Sequence, residues 1–163
     1  MKIQNMNTNH REIKIRNAIA ADSEKLWVLM KELAVFENYI ESFAITPAIV
    51  LESGFKKNPP DFYAIVAEHG DSIVGMLVYY FLPYTAQNRP SIYLKELYVD
   101  RYYRGQKIGE QLMGALRKEA ENKKCGQIKW TVATWNESGK KFYERLGANE
   151  NTEWLNYEWN ISL

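Results

Sequence analysis

The stretch that most restricts the fold lies in the second half of the chain, where a strand-like run, Ser91 to Val99, leads through a helical segment to a second strand-like run, Gln127 to Ala133. Between them, from Gln106 to Lys123, Ile108, Leu112, Ala115, Leu116 and Ala120 recur on one helical face. A strand, helix and strand joined in this way return to the same sheet as a parallel pair. Upstream, Phe62 to Glu68 and Ser72 to Phe81 are rich in β-formers and flank His69-Gly70-Asp71, a tight-turn signal, which predicts an antiparallel hairpin. One sheet must then hold both antiparallel and parallel neighbours, with helices covering its faces.

The remaining segments fill in the order. Ile13 and Ile15 alternate with Lys14 and Arg16 as in a half-buried strand. Asp22 or Ser23 can cap a helix whose apolar stripe runs through Leu26, Leu29, Met30, Leu33 and Phe36. Thr46-Pro47 reads as a cap followed by proline at the first helical position, opening a short helix that ends near Gly54. Asn58-Pro59-Pro60-Asp61 is a loop, and Pro83 to Pro90 leads into the strand at Ser91. Asn136 caps a last helix through Phe142 and Tyr143 that stops at Gly147, and Glu153 to Leu163 alternates as a final strand. The expected order is βααβββαβαβ: a mixed α/β fold with a mostly antiparallel central sheet, one parallel pair and helices on both faces. Residues 1–12 are expected to be a flexible N-terminal segment and residues 13–163 a single domain, which suits the size of one core.

Charge and cysteine content narrow the function classes. The 21 basic and 20 acidic residues leave a net charge of +1, so no global field draws in nucleic acid or an anionic membrane, and any anion site is local. The N-terminal segment lacks the apolar core of a signal peptide, and the longest apolar run, Met76 to Leu82, is too short to span a bilayer, so a cytoplasmic protein is expected. Cys125 is the single cysteine, which rules out an intrachain disulfide, and no histidine lies near it in sequence to activate it. His10 and His69 have no metal-ligand spacing, and no metal is expected.

The chemistry concentrates between Tyr93 and Gly109, a strand followed by a basic turn and a helix start. Amide groups at a helix N-terminus point outward unpaired at the positive end of the dipole, a geometry able to hold a phosphate or pyrophosphate. Gly105 and Gly109 allow close backbone approach. An ordinary strand-to-helix turn with a solvated charge cluster would read the same way.

Tyr103-Arg104-Gly105-Gln106-Lys107-Ile108-Gly109 resembles the acetyl-CoA pyrophosphate loop of GNAT acetyltransferases, Arg/Gln-x-x-Gly-x-Gly/Ala, with Lys107 standing where the family usually has its first glycine. Trp135-Asn136 through Phe142-Tyr143 to Gly147-Ala148 resembles a second family segment, in the right order and at the right separation. A wider likeness, through Lys31-Glu32-Leu33-Ala34, Leu51-Glu52-Ser53-Gly54-Phe55, Ser72-Ile73-Val74-Gly75 and Trp135-Asn136-Glu137, points to the diamine (spermidine/spermine) branch.

The resemblance implies acetyl-CoA as cosubstrate. Main-chain groups of Leu97, Tyr98 and Val99 would meet its pantetheine arm, the turn Arg104, Gly105, Gln106, Lys107, Ile108 and Gly109 its diphosphate, and Asn136 and Gly139 its acyl side. Tyr143 would be the general acid for the departing thiolate. An amine acceptor with a pKa near 10.4 is protonated at neutral pH and needs a base, and Glu96 is the nearest candidate; the alternative is that it merely pairs with a basic neighbour. Positions matching the branch's acidic amine-binding residues are Glu37, Glu96 and Glu153. Lys95 stands where that branch commonly has glutamate, which favours an acceptor carrying its own carboxylate, such as a lysine-like amino acid. The expected function is acetyl transfer to a small primary amine by direct attack in a ternary complex, in a homodimer; a peptide acceptor and a non-catalytic acyl-CoA-binding module are the alternatives.

Overall fold

β3 (Ser72–Leu82) is the central strand because its run from Ile73 to Tyr79 is buried without a break, which requires cover on both faces. The computed structural model describes residues 12–161, so the expected flexible segment lies, except for Glu12, outside the described residues. The chain divides after Trp130 into two compact units.

In the first unit, five strands stand in the order β1 (Ile13–Asn17), β2 (Tyr63–His69), β3, β4 (Ser91–Val99) and β5 (Ile128–Lys129). The first four are antiparallel neighbours, and β4 and β5 are parallel. Gly70, with φ 62°, makes the tight link between β2 and β3. α1 (Ser23–Phe36) puts Leu26, Leu29, Met30 and Leu33 against Val66, Met76, Val78 and Tyr98 on one face of the sheet. α3 (Ile108–Asn122) puts Ile108, Leu112, Leu116 and Ala120 against Ile65, Val74, Leu77, Ile92 and Leu94 on the other. A Cβ on Gly75 would meet Ile108 Cγ2 at 3.2 Å and Leu112 Cδ1 at 3.3 Å, so the missing side chain is what lets α3 seat closely on β3. Helices therefore cover both faces, as the crossover required.

Thr46 caps α2 (Pro47–Leu51) by accepting from the Ile49 amide at 3.3 Å, with Pro47 at the first helical position, and a π turn over Glu52–Lys56 carries the chain past Gly54. Asp22 stands at the start of α1 but does not cap it with its side chain. Its carboxylate instead takes both terminal nitrogens of Arg16, at 2.7 and 3.0 Å, and the Ile19 amide at 2.8 Å. Phe36, the last residue of the expected stripe, stays 39% exposed.

The strand expected over Gln127 to Ala133 reaches the sheet only at Ile128 and Lys129, opposite Ile92 and Tyr93. The cause lies in β4, where Val78 pairs with Glu96 but Tyr79 with Leu94, so Lys95 is an extra residue, a β-bulge. A bulge bends and twists its strand, and this one begins just past the last residue that β5 pairs.

In the second unit, α4 (Glu137–Arg145) is closed at both ends as expected. Asn136 Oδ1 accepts from the Gly139 amide at 2.9 Å, and Gly147, with φ 85°, terminates the helix while Ala148 N donates to Tyr143 O and Gly147 N to Glu144 O. The final strand expected from Glu153 to Leu163 is not formed over residues 153–161, and Ser162 and Leu163 lie outside the described residues. Alternation provides two faces, but a strand also needs a neighbouring backbone, and residues 153–161 pair with none among those described.

Candidate active site

The bulge in β4 builds the site. Leu94 faces α3, so Tyr93 and Lys95 on either side of it fall on the α1 face; Tyr98 packs on the α1 face, so Glu96, two residues before it, falls there too. In an unbroken strand Tyr93 and Glu96 would point to opposite sides. The extra residue brings Tyr93, Lys95, Glu96 and Tyr98 onto one face, at the C-terminal end of α1, where Glu37 and Tyr39 follow.

Glu96 is the chemically unusual member. Its Oε2 is buried with no hydrogen-bond partner among the described residues. Burial pushes its carboxyl from 4.5 up to about 7, the Lys95 ammonium pulling it down and the Glu37 carboxylate pushing it further up. Glu37, though on the surface, is also held above the ordinary carboxylate range by partial desolvation, against the pull of Lys95. Burial with the charges of Glu96 and Glu37 pushes the Tyr39 phenol up to about 12, and burial with Glu96 raises Tyr80, whose ring stacks on Tyr93 at 6.4 Å and 7°. A carboxylate half-ionised near neutrality, beside the raised phenols of Tyr39 and Tyr80, is suited to taking a proton from a cationic nitrogen. Glu37 thus lies within electrostatic reach of Glu96. Tyr80 and Tyr93 had no signal as site residues in sequence, because only the bulge sets Tyr93, stacked on Tyr80, on the same face as Glu96.

The edge of β4 beyond the bulge is the second component. Asp100 N donates to Val74 O, so main-chain groups of Tyr98 also point toward β3 and those of Leu97 and Val99 point outward. β5 does not pair there. Of the three strand residues expected to meet a cofactor, Leu97 and Val99 therefore present outward main chain, and Tyr98 does not. The Val99 carbonyl accepts from Arg104 Nε at 2.9 Å, while the Arg104 guanidinium lies 5.2 Å from the Tyr98 ring and 5.3 Å from the Phe36 ring. Arg104 is pinned at the strand's end.

The turn that follows is open. Gly105 has φ 76° and nothing within 4 Å of where a Cβ would sit, Gln106 is exposed, and Lys107 adopts φ 59°, ψ 19° at the start of α3 with no side-chain cap. Lys107 thus takes the left-handed conformation that glycine prefers, at the position where the resembling loops have glycine. With no side-chain cap, the amides of Ile108, Gly109 and Glu110 have no partner among the described residues at the positive end of the helix. These amides, Lys107 and the bare Gly105 backbone fit a diphosphate.

In the second unit, Asn136 spends its side-chain oxygen on capping α4, and also accepts from Ser138 Oγ at 3.1 Å. A Cβ on Gly139 would come within 2.6 Å of Asn136 Nδ2, so this glycine makes room for the cap. Tyr143 sits on α4 beside Phe142, ring centroids 5.1 Å apart. Glu153 is exposed, and its amide donates to Asn151 Oδ1. Burial raises the Cys125 thiol, which keeps it protonated. Among the described residues no cluster of His, Cys, Asp and Glu could hold a metal, and no helix is long and apolar enough to cross a membrane.

Over 157 residues the chain is 32% identical to the thialysine N-epsilon-acetyltransferase of Mus musculus, covering 90% of this chain and 91% of that protein. Over 142 residues it is 33% identical to the spermidine/spermine N(1)-acetyltransferase-like protein 1 of Homo sapiens, covering 83% of this chain and 20% of that protein. The fold is shared with an aminoglycoside acetyltransferase from an uncultured soil metagenomic sample, at a TM-score of 0.78 and 21% identity over 95% of this chain and 99% of that one. Residues 27–148 match the acetyltransferase (GNAT) family. The chain belongs to the GNAT family and is an acetyltransferase.

Proposed function

We propose that this enzyme acetylates a small primary amine, polyamine-like or lysine-like, using acetyl-CoA in a ternary complex. The observation that carries the reading is Glu96: a carboxyl with a buried, unpartnered oxygen and a pKa of about 7, beside an outward main-chain edge. Acetyl-CoA supplies an acyl group already activated as a thioester. Glu96 takes one proton from the acceptor's ammonium, freeing the nitrogen lone pair to bond to the acyl carbon as the carbon–sulfur bond breaks. The outward N–H of Leu97 donates to the carbonyl oxygen as negative charge gathers there. Tyr143, by its place in the second family segment, gives its hydroxyl proton to the departing sulfur; the second proton that the nitrogen sheds as the amide forms leaves to solvent, from which Tyr143 is reprotonated. The uncapped amides of α3, with Lys107 and Gly105, hold the diphosphate. The names of the two relatives, one a thialysine N-epsilon-acetyltransferase and the other a spermidine/spermine N(1)-acetyltransferase-like protein, support the acceptor class.

A thiol-release assay with acetyl-CoA against polyamines, diamines, lysine and its analogues, and short peptides tests the reading. Turnover on small amines is expected. Turnover on peptides alone would assign a peptide acceptor, and acetyl-CoA binding without turnover on any amine would leave a binding module. We further propose that the enzyme is a cytoplasmic homodimer, which the exposed Tyr84, Trp154 and Trp159 favour; light scattering giving a monomer mass would reject the dimer.

A further inference from the structure

The two classes of relative leave open which amine is acetylated, a diamine or an amino acid with a terminal amine, and the bulge of β4 bears directly on that choice. It sets two consecutive side chains of opposite charge on the same face of the sheet: Lys95, the extra residue, and Glu96, the proposed base. Lys95 is exposed, and among the described residues it has no ion-pair partner within 4.0 Å. Its ammonium nevertheless acts on both Glu96 and Glu37, pulling down the proton affinity of each. The acceptor region therefore holds two carboxyl groups and one solvent-facing cation with no ion-pair partner among the described residues.

Resting on the amine acetyltransferase reading above, we propose that Lys95 is the specificity-determining residue and that it reads a carboxylate, so the acceptor is an amino acid bearing a terminal amine. A diamine brings two positive charges to this face. One is met by Glu37 and Glu96, and the other adds to the charge of Lys95. An amino acid of the same length brings the same reacting amine, a carboxylate for Lys95 and an α-ammonium for Glu37. A charge-assisted contact of this kind contributes roughly 1.5–3 kcal/mol, about ten- to a hundredfold in selectivity.

The test uses matched acceptors that differ only in the carboxylate: lysine against 1,5-diaminopentane, and ornithine against 1,4-diaminobutane, with lysine methyl ester as a masked control. The wild type is expected to favour the amino acids in kcat/KM, mainly through KM, and to discriminate against the ester. Lys95→Gln should lower the amino-acid-to-diamine ratio at least tenfold, Lys95→Glu should invert it, and Lys95→Arg should retain the preference. Comparing two acceptors on one enzyme cancels any change in the proton affinity of Glu96. A wild type that prefers diamines, or a ratio unmoved in Lys95→Gln and Lys95→Glu, overturns the role of Lys95 while leaving the amine reading intact. No turnover on any of these acceptors overturns both.

Discussion

Replacing Glu96 by Gln should disable the enzyme and stabilise it at alkaline pH. The carboxyl is raised from 4.5 to about 7, so the folded protein holds this proton more tightly than the unfolded chain does. Between those values folding takes up a proton, and stability falls as pH rises. Above about pH 7 the whole cost is present, and at about 1.4 kcal/mol per pKa unit it comes to about 3 kcal/mol. Gln has nearly the same shape and never ionises. Its amide is also left unpartnered, but that cost is equal at every pH, so the informative quantity is a double difference. Urea unfolding at pH 5 and pH 8 should show Glu96→Gln gaining about 2–3 kcal/mol on the wild type between the two. Turnover should drop by roughly 10²–10⁴, the loss expected for a general base. An identical pH dependence of stability in the two proteins would mean that Glu96 is not held in a desolvated site, and the argument for it as the base would go with it.

Three further outcomes follow from particular contacts. In the wild type kcat/KM should rise through about pH 7 as Glu96 ionises, and Glu37→Gln, by removing a like charge, should move that limb to lower pH by roughly half a unit to one; a limb that stays put or moves up would refute the coupling. Lys107→Gly should relieve a left-handed backbone strained by roughly 1 kcal/mol and raise the thermal midpoint, whereas a lower midpoint would show that φ 59° is comfortable there. Asn136→Ala should cost about 1 kcal/mol and speed hydrogen exchange at the Gly139 amide, with Asn136→Asp sparing most of it; unchanged exchange would mean that the cap does not hold α4.

The sequence and the structure agree wherever the physics is local. Thr46-Pro47 opens α2, Gly70 turns the hairpin, Asn136 caps α4 and Gly147 ends it, because each depends on conformations available within a few residues. The apolar spacing of Leu26 to Leu33 and of Ile108 to Ala120 likewise set which side of α1 and of α3 is buried. Sequence and structure part where an element needs a partner distant in the chain. Gln127 to Ala133 alternates well enough for a strand, yet only two residues join the sheet. Asp22 has the right chemistry for a cap, but Arg16, brought alongside by β1, takes its carboxylate.

What the residues determined by themselves was the mixed sheet, the loop that resembles a diphosphate site, and Glu96 as a candidate base. Tertiary structure alone decided that Glu96 would be buried, with one oxygen unpartnered among the described residues and its titration near neutrality, and that Tyr80 and Tyr93 would lie on its face of the sheet. The reason is the single extra residue in β4. A bulge is a mismatch between two strands, which neither strand's own pattern records, and shifting side chains by one residue moves them to the opposite face of the sheet.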